Sequence, residues 1–594
     1  MAEIREVTPE VTLFLRSIGL SNYYIVKIFD LVGESAIGLT EDNPYWLLEE
    51  FPRMGFAKVD AIAKSLGFGD ENRYRVEAGI AILMKKYASE GHSFAFYKDL
   101  CRETAENLQI NSELVEDVTE DMVFDGRLQL ADVNGVRAVY FYGYYKAECS
   151  VAGKLARLEN PQDGLKPVGG NIEALIAKTE AQSAVELSSE QKEAVRNALL
   201  SGVSIITGGP GTGKTTIINT LISIVEGSGL KAAVAAPTGR AAKRVMETSG
   251  HFACTVHRLL EFFYDEETRY MAFGRNAEKP LTQDVVIIDE ASMLDLLLAE
   301  ALCNALKPGT RLILVGDADQ LPSVGAGNVL ADLIDSEFFF TSALTHIYRQ
   351  SEQSGIVINA HRINSGDYPK FGEDFRLVKA DKHEEILRKI VDISSEIPKE
   401  RLQVLTPTKK GLIGSISLNE HLQKTFNPPS EEKDELKFGS PVFRVGDRVM
   451  QNKNDYQIEY KAAGNEKASG KGVFNGEIGT VAAVDKEMKT VTVVYDDTRW
   501  VEYPYIQLDE LELAYAITVH KSQGSEFPVV ILPMSWFPPV LATRSLLYTA
   551  VTRGKEDVVI VGNPQYMNGM VDNNRSKSRN SGLKARIVGM CGLM

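Results

Sequence analysis

The sequence predicts an α/β protein with two lobes, each built on a parallel sheet buried on both faces. From residue 186 onward, apolar runs such as VSIIT, AAVAA, VVIID and LILVG alternate with helical stretches, and AITV, VVIL and VVIVG follow later. Continuous Val, Ile and Ala are what strands of a parallel sheet require when helices cover both faces. Between 441 and 513, short alternating strands punctuated by glycine, such as TVTVVYD, predict a small inserted β-barrel.

The N-terminal part of the chain predicts mainly helices. Within residues 1–70, the turn glycines Gly19 and Gly55 each precede an amphipathic helix, as in tandem helix-hairpin-helix units. Ser17 and Arg53 stand where such hairpins usually carry a first glycine, so we expect helical packing there rather than phosphate binding.

Composition shifts and turn residues divide the chain into segments. The predicted order is a helix-hairpin-helix-like region at 1–70, a winged-helix-like module at 71–158, a Pro/Gly-rich linker at 159–185, lobe 1 at 186–345, lobe 2 at 346–440 and 514–572, the barrel at 441–513 and a basic tail at 573–594. The tail holds Arg575, Lys577, Arg579, Lys584 and Arg586 and no acid. Such a tail is either solvated or disordered, or it contacts phosphate.

Composition excludes several classes of protein and site. The chain of 594 residues has 65 basic and 81 acidic residues, a net charge of −16, which argues against coating nucleic acid by bulk charge. Its five cysteines and eight histidines show no CxxC or HExxH spacing, so neither a disulfide framework nor a protein-built metal site is indicated. No run approaches the roughly 18–20 apolar residues of a membrane span, and the first residues lack a signal peptide's apolar core, so we expect a cytoplasmic protein.

Residues 208–215, GGPGTGKT, match the phosphate-loop pattern GxxxxGK[ST] between the strand VSIIT and the helical TTIINTLISIV. Glycines let backbone amides approach phosphates at a helix N-terminus, Lys214 would neutralise the β- and γ-phosphates, and the Thr215 hydroxyl would hold Mg²⁺. The predicted phosphate-binding residues are Gly208, Gly209, Pro210, Gly211, Thr212, Gly213, Lys214, Thr215 and Thr216.

Two acidic residues end the apolar strand VVIID. At the tip of a parallel strand, Asp289 would lie beside the phosphate loop and could take the Mg²⁺, while Glu290 could orient and deprotonate water. Both carboxylates together favour hydrolysis over simple nucleotide binding. Gln320 follows another buried strand and could sense the γ-phosphate, although a lone Gln after a strand is more often a surface residue.

An ordered series of motifs resembles the RecD-like superfamily 1 DNA helicases over about two thirds of the chain. The motifs are SSEQ (188–191), GGPGTGKT (208–215), APTGRAAKR (236–244), TVHRLL (255–260), IIDEASM (287–293), GDADQLPSVGAG (316–327), IYRQ (347–350), VLTPTKKG (404–411), AYAITVHKSQGSEF (514–527) and LLYTAVTRGK (546–555). The resemblance implies two RecA-like lobes, an SH3-like barrel, and the use of ATP and Mg²⁺.

The resemblance also implies further nucleotide-binding residues. Gln191 would contact adenine, although Ser188 and Gln191 also fit a helix capping box. Tyr348 would stack on adenine, and Arg349 and Arg553 would be arginine fingers that reach the γ-phosphate from the second lobe.

On the opposite edge, the resemblance implies contacts with single-stranded DNA. The residues are Pro237, Thr238, Gly239, Arg240, Thr255 and His257 in the first lobe, and Thr406, Pro407, Thr518, His520, Lys521, Ser522 and Gln523 in the second. Small residues and hydroxyls suit a groove that follows the DNA backbone. His257 and His520 are equally compatible with a structural role.

The stretch 261–274, EFFYDEETRYMAFG, resembles the β-hairpin pin on which such helicases split the duplex. Its aromatic side chains could stack on the last base pair, and a hairpin packed into the core is the alternative.

Together these features predict an ATP-dependent motor on single-stranded DNA that unwinds duplex 5′ to 3′ in replication, recombination or repair. The direction rests on the resemblance alone. The alternatives are an RNA or RNA–DNA hybrid helicase and an ATP-switched DNA-binding subunit of a nuclease complex. We expect a monomer that binds single-stranded DNA and single-strand/duplex junctions, with a single-strand-binding or recombination protein as a further possible partner and no membrane.

Overall fold

The structure is a computed structural model that describes residues 7–162, 164–265, 270–346, 354–462, 465–496, 498–575 and 579–591, without the side chains of 52, 465–468 and 591. The chain divides into two compact units. The first comprises 1–149, 324–327 and 580–585, and the second comprises 150–323, 328–579 and 586–594.

The α-helices of the described residues span α1 (Pro9–Ser17), α2 (Asn22–Val32), α3 (Ala36–Asp42), α4 (Leu47–Glu50), α5 (Phe56–Ser65), α6 (Arg73–Ser89), α7 (Tyr97–Leu108), α8 (Ser112–Phe124), α9 (Tyr142–Glu159), α10 (Ile172–Ser183), α11 (Ser189–Leu200), α12 (Lys214–Gly227), α13 (Gly239–Ser249), α14 (Val256–Leu259), α15 (Leu296–Ala305), α16 (Val329–Asp335), α17 (Gly355–Ser365), α18 (His383–Ser395), α19 (Ser415–Phe426), α20 (Arg544–Val551), α21 (Pro564–Asp572) and α22 (Leu583–Cys591). Within these residues, no helix is both long and apolar enough to cross a membrane.

The strands span β1 (Phe94–Phe96), β2 (Leu128–Val133), β3 (Val136–Phe141), β4 (Val203–Gly208), β5 (Ala232–Ala236), β6 (Ala253–Thr255), β7 (Phe262–Asp265), β8 (Tyr270–Phe273), β9 (Val285–Ile288), β10 (Arg311–Gly316), β11 (Phe340–Leu344), β12 (Phe375–Lys379), β13 (Leu402–Thr406), β14 (Glu435–Lys437), β15 (Val442–Arg444), β16 (Arg448–Gln451), β17 (Asp455–Ala462), β18 (Asn465–Val473), β19 (Ile478–Asp485), β20 (Thr490–Tyr495), β21 (Arg499–Pro504), β22 (Leu511–Leu513), β23 (Ala516–Thr518), β24 (Phe527–Met534) and β25 (Gly554–Gly562).

The first unit contains α1–α8, the start of α9, and a small antiparallel sheet with the order β1-β3-β2. Gly19 and Gly55 both have positive φ, 84° and 70°, at the turns before α2 and α5. One apolar core lies among α1–α5, and a second is formed by α6–α8 with the sheet. The segment 71–158, predicted to be winged-helix-like, thus consists of helices and a three-stranded sheet.

Two parallel sheets form the frame of the second unit, and they confirm the predicted fold class. The first has the order β11-β4-β10-β9-β5-β6 and the second the order β12-β25-β24-β13-β23. Their central strands are buried almost completely, which explains the continuous apolar runs in the sequence. All carboxyl ends of the strands in one sheet lie at one edge, and that edge organises the site.

The inserted β-barrel is an antiparallel sheet with the order β18-β17-β21-β20-β19-β16-β22. Buried tyrosines occupy its interior: the hydroxyls of Tyr495 and Tyr503 lie 2.9 Å apart, and Tyr503 also donates to Gln451 Oε1 at 2.8 Å. The shared hydrogen bonds offset the cost of burying these hydroxyls.

Two segments differ from the sequence expectations. The predicted linker at 159–185 contains the helix α10, in which Ile176 is buried. The basic tail is not a solvated tail, because it forms α22, where Leu583 and Ile587 are buried, and because Arg579 donates to the carbonyl oxygen of Ser323 at 2.7 Å. Leu583 and Ile587 are four residues apart and share one helix face, but the basic residues around them make the segment resemble a solvent-exposed tail in the sequence.

We predict that Gly202→Ala destabilises the first lobe. A Cβ at Gly202 would lie 1.8 Å from the carbonyl oxygen of Leu158, a backbone atom that no side-chain rotation can move away. Overpacking of this kind costs about 1–3 kcal/mol, so the melting temperature should fall by several degrees. Gly227→Ala is the matched control, because a Cβ there meets no atom within 4 Å, and its melting temperature should not fall. Equal melting temperatures for the two variants would contradict the prediction.

Candidate ATP site and nucleic-acid interface

The phosphate loop joins the carboxyl end of β4 to the first turn of α12. A Cβ at Gly208 would lie 2.8 Å from Thr212 Oγ1 and 2.9 Å from Leu344 Cβ, so this position accepts only glycine. Gly213, with φ of 81°, takes the left-handed conformation directly before the helix. The loop therefore leads into a helix N-terminus whose first amides are unpaired within the helix and suited to an anion.

Lys214 is the first residue of α12, and its ammonium group lies over the loop. The Nζ atom donates to the carbonyl oxygen of Gly208 and, at 3.0 Å, to that of Gly209. Only backbone carbonyls accept these hydrogen bonds, so no carboxylate neutralises the ammonium group through them. The position matches the role predicted for Lys214, which stays a prediction.

An acidic edge follows β9, the strand two places away in the sheet. Asp289 is partly buried, and burial, with the neighbouring charge of Glu290, raises its pKa. Its Oδ1 accepts from the Glu290 amide at 2.9 Å, and Glu290 has a positive φ of 51°. A left-handed conformation at a non-glycine residue costs about 1–3 kcal/mol and is typical of functional sites.

Gln320 belongs to the loop that follows β10, between β4 and β9. Its Nε2 donates to Asp317 Oδ2 at 3.2 Å, and its Oε1 is buried without a hydrogen-bond partner among the described residues. Asp317 also accepts from the hydroxyl of Tyr548 in the second lobe at 2.7 Å. Gln320 is therefore buried rather than a surface residue, and its amide oxygen remains available to a ligand.

The second lobe holds the backbone of the next residue from both sides. The Leu321 amide donates to Thr549 Oγ1 at 2.8 Å, and the Leu321 carbonyl accepts from Gln523 Nε2 at 2.9 Å. Because Gln320 precedes Leu321, the position of its amide depends on the second lobe.

Arg553 approaches the same place from the amino end of β25. Its guanidinium group is buried and donates to the carbonyl oxygens of Thr549 and Ser525, each at 3.1 Å, and to Thr552 Oγ1 at 3.2 Å. These acceptors fix the orientation of the guanidinium group, but they are neutral and so do not neutralise its positive charge. Tyr348 and Arg349, the other second-lobe residues predicted for this site, lie outside the described residues.

Gln191 forms the capping box that the sequence offered as its alternative role. Its Oε1 accepts from the Ser188 amide at 3.0 Å, and its own amide donates to Ser188 Oγ at 3.3 Å. Its Nε2 donates to the carbonyl oxygen of Thr212 in the phosphate loop at 3.2 Å. The capping role is therefore present, and a contact with adenine stays a prediction.

These elements enclose a cavity of about 350 Å³ between the carboxyl edge of the first sheet and the amino edge of the second. Its lining comprises residues 209–216 with Arg244, Asp289, Glu290, Gln320, Glu526, Thr552 and Arg553. Its size lies in the range of nucleotide-sized pockets. Three cationic side chains and the unpartnered Gln320 oxygen fit a triphosphate, and Thr215 and Asp289 are oxygen donors of the type that Mg²⁺ prefers. The described residues contain no protein-built metal cluster.

Arg244 and Glu526 are pocket residues to which sequence motifs gave no role. Both belong to quoted motifs, APTGRAAKR and SQGSEF, and both are charged. A charge inside a motif that borders a phosphate site is the signal that could have identified them.

A second cavity, of about 420 Å³, lies between the first lobe and the β-barrel. Gly239, Arg240 and Thr255 of the predicted DNA-binding set line it, together with Phe474 and Arg499 of the barrel. Arg240 is partly buried, donates to Ser525 Oγ at 2.9 Å, and has its pKa lowered to about 9 by burial.

Thr238 and Thr255 of the predicted DNA-binding set, together with Pro237, lie at the carboxyl ends of β5 and β6. Thr238 caps α13 by accepting from the Ala241 amide at 3.3 Å, and Thr255 caps α14 by accepting from the Arg258 amide at 3.1 Å. Pro237 directly follows β5. These capping roles place the two hydroxyls at helix N-termini, and contact with DNA stays a prediction.

His257 packs at the base of the predicted pin. Its ring lies 5.2 Å from that of Phe262, which in turn lies 4.8 Å from Phe273 on the opposite strand. Burial lowers the pKa of His257. This packing favours the structural role for His257.

The hairpin itself pairs β7 with β8, from Phe262 opposite Phe273 to Asp265 opposite Tyr270. Its outer half is exposed: Phe263, Tyr264 and Tyr270 have exposed fractions of 45%, 52% and 75%. The hairpin is thus packed at its base and open near its tip.

In the second lobe, most of the predicted DNA contacts make internal hydrogen bonds. Thr406 and Pro407 are buried, and the Thr406 hydroxyl donates to the Ile413 carbonyl at 2.8 Å. Ser522 donates to the Val519 carbonyl at 2.7 Å. Lys521 pairs with Glu512.

The remaining two residues of that set are His520 and Thr518. His520 is partly buried, and burial, with the charge of Arg579, lowers its pKa. Thr518 is buried at the end of β23, and Gln523 bonds to the first lobe as described above. DNA binding by this set stays a prediction.

Comparison with family models covers most of the chain. The matching models are described as an AAA domain at 186–384, an ATP-dependent RecD-like DNA helicase SH3 domain at 418–495, an ATP-dependent RecD2 DNA helicase HHH domain at 5–94 and a UvrD-like helicase C-terminal domain at 513–561. Along the chain, these matches fall on the N-terminal helices, the first lobe, the β-barrel and the last strands of the second lobe.

Two curated relatives are similar over much of their own length. The ATP-dependent RecD2 DNA helicase of Deinococcus radiodurans is 30% identical over 555 residues, which cover 91% of this chain and 73% of the relative. The RecBCD enzyme subunit RecD of Mycobacterium tuberculosis is 33% identical over 458 residues, which cover 67% and 73%.

Among solved structures, the Pif1 helicase from Bacteroides in complex with ADP-AlF3 and ssDNA is 23% identical, with coverage of 63% of this chain and 92% of that one. The TM-score of this match is 0.39. The family models and the RecD2 relative agree, and the chain belongs to the RecD-like superfamily 1 DNA helicases, which are ATP-hydrolysing enzymes.

Proposed function

We propose that this protein is an ATP- and Mg²⁺-dependent motor that moves 5′ to 3′ along single-stranded DNA and unwinds duplex in replication, recombination or repair. The cavity of about 350 Å³ is the observation that best supports a motor, because residues of both lobes line it. A ligand bound there contacts both lobes, so its binding and hydrolysis close and open the cleft. The direction is carried over from the family resemblance.

The proposed chemistry divides among residues of both lobes. Lys214 and the loop amides would bind the phosphates, Glu290 would orient and deprotonate the attacking water, and Arg553 would stabilise charge in the transition state. Thr215 and Asp289 would hold Mg²⁺, which would neutralise phosphate charge. Gln320 would report the presence of the γ-phosphate through its free amide oxygen.

The proposed link from ATP to DNA passes through Leu321. Gln523 belongs to the second-lobe motif implicated in DNA binding, and it holds the carbonyl of the residue after Gln320. A shift of that motif on the DNA therefore moves the γ-phosphate sensor. The cavity of about 420 Å³, with Arg240, Arg258 and Phe474 in its lining, supports a path for the strand beside the barrel.

The first test compares strand displacement on a duplex with a 5′ single-stranded tail and on its 3′-tailed mirror, with ATP and Mg²⁺. We expect displacement of the 5′-tailed duplex only, and none by Lys214→Ala, which loses phosphate neutralisation. Preference for the 3′ tail would reject the direction. ATPase stimulation by RNA equal to that by DNA of the same length would favour the RNA alternative.

We predict that Arg553→Ala lowers kcat by about 10³-fold or more while ATP binding weakens far less, because a guanidinium acts mainly on transition-state charge. Steady-state ATPase assays with saturating single-stranded DNA measure the change. Arg401→Ala is the control, since Arg401 is 53% exposed and pairs with Glu556. Full turnover by Arg553→Ala would show that another residue serves as the finger.

Replacing 264–270 with a short Gly-Ser turn should reduce unwinding and leave DNA-stimulated ATPase activity unchanged. The packed base, Phe262 with Phe273 and His257, stays in place, while the exposed Tyr264 and Tyr270 are lost together with the five residues between them. Fork unwinding and ATPase rates of the same preparation give the comparison. Equal unwinding by the two forms would remove the pin from the proposal.

A further inference from the structure

An arginine–glutamate ion pair lies inside the cavity proposed for ATP. Arg244 Nη2 contacts Glu526 Oε1, and both side chains line the cavity. Arg244 belongs to α13 of the first lobe, and Glu526 directly precedes β24 of the second. The pair therefore joins the two lobes across the pocket.

We propose that Arg244 is a phosphate-binding residue of the ATP site, and that bound ATP takes its guanidinium group away from Glu526. The inference rests on the proposed ATP site and assigns it a further residue. Arg244 then has one partner with ATP bound and another without it, and the interlobe ion pair becomes a latch that ATP releases.

The energetics of the exchange favour phosphate. Arg244 and Glu526 are 38% and 23% exposed, and an ion pair so open to solvent contributes only about 0–1 kcal/mol. A guanidinium bound to phosphate makes charge-assisted, often bidentate hydrogen bonds, which contribute more. A triphosphate also carries more negative charge than one carboxylate.

Glu526 keeps a second partner when Arg244 leaves. Its Oε2 lies 3.0 Å from Lys555 Nζ, in the same lobe. Burial raises the pKa of Glu526, but Arg244 and Lys555 together lower it below its ordinary value, so the carboxylate is ionised. When Arg244 leaves, the Glu526 carboxylate therefore still has Lys555 as a counter-charge. The main free-energy cost of breaking an ion pair, an unpaired charge left away from water, is thus avoided.

Arg244 lines the same cavity as Lys214, Thr215 and Asp289, the residues proposed to bind phosphate and Mg²⁺. The other two cations, Lys214 and Arg553, are held by backbone carbonyls of their own lobes. Among the described residues of the cavity, Arg244 differs from these two cations because it pairs with a carboxylate of the opposite lobe, that of Glu526.

The latch has a neighbour on the same helix. Arg240 and Arg244 are four residues apart and share one face of α13. Arg240 donates to Ser525 and Arg244 pairs with Glu526, so this face holds two consecutive residues of the second lobe. Arg240 lines the other cavity, beside the barrel. If ATP breaks the Arg244–Glu526 pair, the contact between α13 and the second lobe weakens beside the cavity proposed for DNA.

The test measures the Kd of a non-hydrolysable ATP analogue, adenylyl imidodiphosphate, and of ADP, both with Mg²⁺, by titration calorimetry on the full chain. Arg244→Gln should weaken binding of the analogue about tenfold and affect ADP less, because a charge-assisted hydrogen bond to phosphate is lost. Glu526→Gln should tighten binding of the analogue, because it removes the competitor for Arg244.

Arg401→Gln and Glu556→Gln are the matched controls, an exposed Arg–Glu pair within the second lobe, and should leave both Kd values within about twofold. Opposite signs for Arg244→Gln and Glu526→Gln support the latch. Weakening by both, or no change in either, would show a merely structural bridge and overturn it. Failure of the proposed function looks different, since the wild-type chain would then bind neither nucleotide.

Discussion

The backbone of Leu321 is the point on which the two lobes depend. Its amide and carbonyl are both bonded to the second lobe, through Thr549 and Gln523, while Gln320, directly before it, lines the cavity proposed for ATP. Buried backbone groups must be hydrogen-bonded, so the loop cannot leave these partners without a cost of about 1–3 kcal/mol for each group. One buried loop thereby ties nucleotide chemistry to the arrangement of the lobes.

The edges of the two sheets explain why the site has this shape. The phosphate loop, Asp289 and Asp317 follow the carboxyl ends of strands in the first lobe, whereas Glu526 and Arg553 precede strands of the second. Parallel strands collect such loops at one edge, so two facing sheets create a cleft with the phosphate loop and Asp289 on one side and Glu526 and Arg553 on the other. A site assembled in this way changes whenever one sheet moves relative to the other.

Much of this arrangement could be predicted from the sequence, because buried parallel strands and phosphate loops have strict local requirements. The strand runs, the loop and the acidic pair depend on neighbours within a few residues, and Asp289 and Gln320 lie where the pattern indicated. Partnerships across hundreds of residues leave no such signal. The bond of Gln523 to Leu321, the grip of Arg240 on Ser525 and the burial of Leu583 depend on tertiary packing, which residue spacing does not encode.

The bare backbone at Gly209 has a consequence for how far the lobes can approach each other. A Cβ there would lie 3.2 Å from the Tyr548 hydroxyl and 3.4 Å from His361 Cε1, both from the second lobe. A methyl group at residue 209 would therefore crowd these two side chains, which would have to shift by a few tenths of an ångström. Glycine has a hydrogen atom where alanine has a methyl group, so this one backbone position lets the two lobes pack closely together beside the phosphate loop.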